Sequence, residues 1–258
     1  AGDRLPQSPA GQILAIADKL NTLAGIFILG KKPTGKRDPF GLRRAALGVI
    51  RILIEQNVDL DLTEAIKEAT AKQPGSKENY AVINATLMDF ILDRSKTYFM
   101  DSELDFRPDI FNAVRACRPT SLLDFEKRLQ AVSKFIKLKE AASLAAATKR
   151  TVNILRKSDY DHAGPVDSNL LTDDAENELY NELQAAQHDV GPLIKQRAYS
   201  ASLVRLAALQ TPIDLFFNDV MVMVEDEAIR TNRLALLAEL RSLFRRVADI
   251  SHLTNIQD

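Results

Sequence analysis

The chain has 258 residues, 46% of them hydrophobic and 27% charged, enough for a sizeable core under a polar surface in one large or two ordinary domains. Its formal net charge is −1, which excludes an overall polycation, so binding to nucleic acid would need basic residues grouped locally. The single cysteine, Cys117, excludes an intramolecular disulfide and leads to the expectation of a reduced, cytoplasmic setting.

The pattern predicts helix almost throughout. Ser8-Pro9 caps and starts a first helix, with Ile13, Leu14, Ala17, Leu20, Ala24 and Phe27 on its apolar face. No apolar run is expected to reach the roughly 20 residues of a membrane span. Asp18 and Lys19 interrupt the early apolar stretch, which argues against a secretory signal. Ala1 stands within an apparent helical pattern, so the chain is expected to be a fragment of a longer protein. Gly30 to Arg37 reads as a loop, and Asp38-Pro39 as an N-cap with first-turn Pro for a second helix carrying Leu47, Ile50, Leu53 and Ile54. Asp61 caps a third, Gln73 to Ser76 breaks it, and Tyr80, Ile83, Leu87, Phe90 and Ile91 mark a fourth.

A boundary is expected near residue 105, dividing the chain into helical parts 1–105 and 106–258. Pro108 to Arg115 is a short helix stopped by Pro119. Ser121 to Lys137 and Lys139 to Lys157 follow, then a polar loop from Ser158 to Ser168. Asn169 to Gln187 and Gly191 to Gln210 read as two more helices. Thr211-Pro212 looks like a further cap, with Asp214 completing a capping box, and Glu227 to Ile250 is the last long helix. Only Val220 to Val224 alternates like a strand, and its flanks favour a junction between helices. The expectation is an all-α fold.

Three basic groups stand out. Lys31, Lys32, Lys36, Arg37, Arg43, Arg44 and Arg51 surround a Gly/Pro loop and helix start, opposed only by Asp38. That suits an RNA backbone, since glycines allow close approach and a helix N-terminus favours phosphate. Lys149, Asn153, Arg156 and Lys157 fall on one helical stripe beside Arg150, with donors for phosphate and one amide able to pair with a base edge. Arg230, Arg233, Arg241, Arg245 and Arg246 lie on the last helix near Phe216, Phe217, Met221, Met223 and Phe244. Aromatic stacking reads unpaired RNA, while the same cluster at helical spacing also suits a core. Acidic residues run from Asp159 to Asp189 without Lys or Arg and should repel phosphate. His162, His188 and His252 lack metal-ligand spacing, and no acid–base pair or nucleophilic arrangement singles out a catalytic residue.

AIADKLNTLAGIF (Ala15 to Phe27), KPTGKRDPFGLRRAALGVIRI (Lys32 to Ile52), KRTVNILRK (Lys149 to Lys157) and the Thr211 to Leu253 segment resemble the bacterial glycyl-tRNA synthetase β-subunit. The resemblance implies that the first part is the end of an HD-like domain, where Asp18 would be the last metal-site acid. The other ligands of that site would lie before Ala1, so no metal and no hydrolase activity is assigned. It implies that 106–258 is the anticodon-binding helical bundle shared with arginyl-tRNA synthetases. The Asp-Ala-Leu-Arg signature of that class is similar to Asn112-Ala113-Val114-Arg115. Lys36, where the family often has Ser, and Gln210, where Arg is usual, depart from its pattern. The implied partners are glycine tRNA and an α-subunit in an α2β2 enzyme, with no DNA and no membrane. ATP and magnesium serve that α-subunit, and no cofactor is expected in this chain. Lys149, Arg150, Asn153 and Lys157 are the implied anticodon stem-loop contacts, supported by Arg230 and Arg233. Lys32, Lys36, Arg37, Arg43 and Arg44 would touch RNA backbone or dock another part of the complex. An arginyl-type module and a helical protein-binding scaffold are the alternatives.

Overall fold

The computed structural model describes residues 4–35, 37–74, 79–101, 106–160 and 164–256. Eleven α-helices and no strand occur among them, beyond one bridge between Thr34 and Arg37, so the fold is all-α. They are α1 Pro9–Ile28, α2 Leu42–Glu55, α3 Leu62–Ala71, α4 Tyr80–Met100, α5 Pro108–Arg115, α6 Leu122–Phe135, α7 Ala141–Lys157, α8 Asp174–Lys195, α9 Tyr199–Ala207, α10 Gln210–Asp219 and α11 Glu227–Arg245. Two units result. The first holds residues 1–107 and 119–126, the second 108–118 and 127–258.

In the first unit α1 packs on α2, α3 and α4. Ser8 caps α1 through its hydroxyl, which accepts from Gly11 N at 3.2 Å. The packed stripe is Ile16, Leu20, Leu23, Ala24 and Phe27, at helical spacing. Ile13 and Leu14 are exposed, contrary to the expected face, and with Ala17 they line an open groove of about 520 Å³ against Val58, Leu60, Ala65 and Ala69. With 20 residues and a mean hydropathy of 1.2 over its best window, α1 does reach membrane-span length and composition, which corrects the sequence expectation. Five of its apolar residues, from Ile16 to Phe27, are buried where it packs on α2, α3 and α4, while Ile13 and Leu14 stay exposed. Phe99 stacks on Phe125 at 5.8 Å and meets Phe106 edge-on at 6.0 Å, which ties the 119–126 segment to this core. Leu62 N donates to Thr120 O at 2.8 Å, and Ser121 Oγ to Asp59 Oδ1 at 2.6 Å.

The second unit buries Phe111, Val114, Leu129, Val132, Leu144, Leu179, Leu206, Phe216, Leu237 and Phe244. Arg128 closes its C-terminal corner. Nη1 donates to Arg246 O and Val247 O at 2.7 and 2.8 Å, and the guanidinium lies 4.4 Å from the Tyr199 ring centre.

Several boundaries move for identifiable reasons. Pro39 is not helical. Gly41, in the left-handed region at φ 66°, stands at the N-cap, and α2 begins at Leu42. Asp38 still caps it, accepting from Leu42 N at 2.8 Å and Arg43 N at 3.0 Å. α8 continues through Gly191 and Pro192. It stops at Arg197, φ 55°, where Ala198 N bonds Leu193 O and Arg197 N bonds Ile194 O, a Schellman turn with arginine in the usual glycine place. The Asp214 capping box does not form, because Leu209 is the N-cap of α10 and Asp214 Oδ1 instead accepts from Ser143 Oγ at 2.9 Å. α11 ends at Arg245, short of Ile250, and a 3-10 turn covers Ile250–His252.

Candidate nucleic-acid interface

α7 buries Ala141, Leu144, Ala145, Thr148, Thr151 and Leu155. A helix that buries this stripe turns residues 149, 150, 156 and 157 outward, and all four are exposed. The helix closes at Asp159, φ 46°, with Tyr160 N on Leu155 O. Lys157 therefore sits in the last turn, where a cation suits the helix dipole. No carboxylate of a described residue pairs with Lys149, Arg150, Arg156 or Lys157. Asn153 is half-buried and accepts from Arg156 Nη2 at 3.2 Å through Oδ1. The Arg150 guanidinium carbon stands 4.4 Å from the centre of the Phe217 ring, a cation–π contact between α7 and α10. Phe217 in turn meets the fully buried Phe216 edge-on at 5.5 Å. Sequence reading placed Phe217 near the last-helix arginines. Its partner on α7 lies 67 positions away in the chain, beyond any local pattern.

The arginines of α11 behave differently. Arg233 is a correction to the expected RNA contacts, because its side chain is only 6% exposed and fully engaged within the unit. Nε donates to Glu176 Oε1 at 2.7 Å, Nη2 to Asp173 Oδ2 at 2.6 Å, and Nη1 to Met221 O at 2.7 Å. Hydrogen bonding to Glu176 pushes the Arg233 guanidinium further up from its already high value, against burial. Arg230 is half-buried, and Nη1 donates to Val224 O at 2.7 Å and Glu225 O at 3.1 Å. Arg245 and Arg241 converge on buried Asp249. Burial pushes that carboxyl up, but the hydrogen bonds from Ser251 and Arg245 and both guanidinium charges hold it below its ordinary 3.8. The acidic stretch is used the same way. Asp173 and Glu176 serve Arg233, while Asp189 and Glu182 take Arg205 at 2.7 and 3.7 Å.

In the first unit Lys31, Lys32, Arg37 and Arg44 are exposed, and no carboxylate of a described residue pairs with them. The Lys31 and Lys32 ammonium groups lie 5.8 and 5.7 Å from the ring centres of Phe40 and Phe27. Arg43 Nη2 donates to Gly35 O at 2.7 Å, which fastens the loop to α2. Arg51 pairs with Glu55 at 2.7 Å. Lys36 lies outside the described residues. An open pocket of about 480 Å³ runs between α1 and α2, where Arg4, Asp18, Lys19, Phe40, Arg44 and Arg51 meet. Lys19 and Arg4 were missed from sequence, since neither belongs to a basic run. Among the described residues no group of three His, Cys, Asp or Glu side chains could hold a metal ion.

Residues 1–116 match the family model of the glycyl-tRNA synthetase beta subunit, and residues 144–254 that of the DALR anticodon binding domain. The glycine–tRNA ligase beta subunit of Pseudomonas aeruginosa (strain LESB58) is 49% identical over 251 residues, which is 97% of this chain and 36% of that protein. Those of Pseudomonas putida (strain W619) and Pseudomonas syringae pv. syringae (strain B728a) are 49% and 47% identical over the same shares. Over nearly its whole length the chain is similar to glycyl-tRNA synthetase beta subunits. It spans about a third of the length of these curated relatives. The glycyl-tRNA synthetase match covers α1 to α5 and includes the basic Lys31 to Arg44 region. The anticodon-binding match takes in the Lys149 to Lys157 stripe, the α8–Arg233 lock and all of α11. The Asn112 to Arg115 tetrapeptide, singled out for its likeness to the DALR signature, lies on α5 outside that second match.

Proposed function

We propose that this chain recognises tRNA as part of a glycine–tRNA ligase beta subunit, holding the anticodon stem-loop against α7. The observation that carries this reading is a cationic helix face with no neutralising carboxylate among the described residues, inside the residues that match an anticodon-binding domain. Lys149, Arg150 and Lys157 supply phosphate contacts. Asn153 keeps its Nδ2 donor for a base edge while its Oδ1 is taken by Arg156. Lys32, Lys36 and Arg37 before α2, with Arg43 and Arg44 in its first turn, form a second contact with RNA backbone. Glycine activation with ATP and magnesium belongs, in this reading, to an α-subunit in an α2β2 assembly, and the setting is the cytoplasm.

The test is a filter-binding titration of the full chain with glycine tRNA between low and moderate salt. Counterion release gives a log-log salt slope of roughly 0.7–0.9 per phosphate contact. Lys149→Ala with Lys157→Ala should lower that slope by between about 1.4 and 1.8. Affinity indifferent to salt, or equal slopes for both proteins, overturns the reading in favour of a protein-binding scaffold.

A further inference from the structure

The segment between α10 and α11 exposes two large apolar side chains, Met221 at 72% and Met223 at 53%. Their backbone is not loose. Val220 and Val222, which alternate with them, are buried at 5% and 6%, so the segment turns its valines inward and its methionines out. Arg233 holds Met221 O, and Arg230 holds Val224 O and Glu225 O. Two arginines of α11 thus fix the outward presentation of two polarizable, sequence-tolerant apolar groups. The lone alternating stretch of the chain is therefore a pinned loop.

Its surroundings indicate the occupant. Ser143 bonds Asp214 and Arg150 stacks on Phe217, so α10 follows α7 toward the latter's C-terminal half. The chain leaves α10 at Asp219, two residues past the Phe217 ring on which Arg150 stacks. Exposed Asp219 and Glu225 flank the methionines and repel phosphate, while the α7 cations attract it. That division of charge favours a phosphate backbone on α7 and uncharged bases at the methionines. We infer that the 220–225 loop is a fixed platform on which unpaired bases of an RNA loop pack against Met221 and Met223, beside the guanidinium plane of Arg150. Arg230 and Arg233 act here as positioning residues for the platform. The inference rests on the RNA-binding reading above and names the part of RNA that this site takes.

The probe is a hairpin RNA carrying 2-aminopurine in its unpaired loop, with the same sequence closed into a duplex as control, titrated into the full chain. Replacing both methionines by alanine should weaken hairpin binding about tenfold, the low end of what loss of an aromatic stacking platform costs. Duplex binding and the salt slope should stay unchanged, and the aminopurine fluorescence change on binding should disappear. Phenylalanine at both positions should restore hairpin affinity. Arg230→Gln should also weaken the hairpin while leaving the salt slope alone, whereas loss of a phosphate contact would lower the slope by about one. Unchanged hairpin affinity and fluorescence in the alanine variant, or an equal loss on the duplex, overturns the platform. The failures are distinguishable: a salt slope untouched by the Lys149 and Lys157 replacements sinks RNA binding itself, while intact lysine effects with silent methionines sink only the platform.

Discussion

Glu176 lies fully buried in the first turn of α8, where burial pushes its carboxyl up. Hydrogen bonds from Arg233 and from the backbone N–H groups of Asp173 and Thr172, with the Arg233 charge, outweigh that and hold it below its ordinary 4.5. A carboxyl depressed in the folded state stabilises fully above the unfolded value and loses that contribution as pH falls through the folded one. Glu176→Gln leaves Arg233 charged and buried without its main partner, and breaking such a pair costs about 3–5 kcal/mol. Denaturant unfolding at pH 7 should show a loss of about this size. The gap between the variant and the parent should narrow as pH falls from 4.5 through the lowered folded value, since the unfolded parent takes up the proton first and the folded parent last. A gap independent of pH would separate the stabilisation from ionised Glu176. No local spacing in the sequence relates these two residues, which stand 57 positions apart. Arg233 therefore reads from sequence as one more cation on an arginine-rich helix, and only tertiary packing reveals it as a lock. The α7 stripe was legible because its members share one helix, where spacing alone sets direction.

Helices as elements were largely legible from periodicity and caps. The limits of α5 fall at Pro108 and Arg115 as predicted, and Asp61 caps α3 by accepting from Glu64 N at 3.0 Å. The boundary errors arose where backbone geometry and residue type part company. Gly191-Pro192 reads as a break, yet Pro in a last turn removes only one helical bond, and the true stop is Arg197 in a conformation that glycine usually supplies. At α2 the same happens in reverse. Pro39 suggests an early start, while Asp38 reaches past Gly41 to cap the first turn. Asp38 thus has two opposed effects, since it stabilises α2 and places a negative charge in the basic loop. Asp38→Ala should destabilise the first unit by about 1 kcal/mol, as loss of an N-cap does. The same variant should tighten RNA binding at low salt, with the gain fading as salt rises. Thermal melts and a salt titration read the two effects separately. Weaker RNA binding at low salt would remove the basic loop from the interface.

At the scale of the whole molecule, 34 basic and 35 acidic residues nearly cancel, so attraction for a polyanion has to come from how the charges are used. Many acidic groups in the second unit are engaged with arginines inside it, as in Arg233 with Asp173 and Glu176, and Arg205 with Glu182 and Asp189. The lysines of α7 have no such partners among the described residues, which leaves their field outward. Asp174 and Glu178 on α8 are exposed and likewise without an ion pair there. They contribute a negative face whose effect on RNA is long-range repulsion. Asp174→Lys with Glu178→Lys turns the net charge from −1 to positive. That should speed association with any RNA a few-fold at low ionic strength, and the effect should disappear once the screening length falls to about 8 Å at physiological salt. It should leave the preference between hairpin and duplex unchanged, because neither residue touches the proposed platform. Lys149→Glu should do the opposite on both counts, slowing association and abolishing hairpin binding at physiological salt. Stopped-flow association at two ionic strengths distinguishes the cases. A gain from the α8 reversals that survives at high salt would mean that RNA lies directly on α8, and the interface would have to be redrawn around that helix.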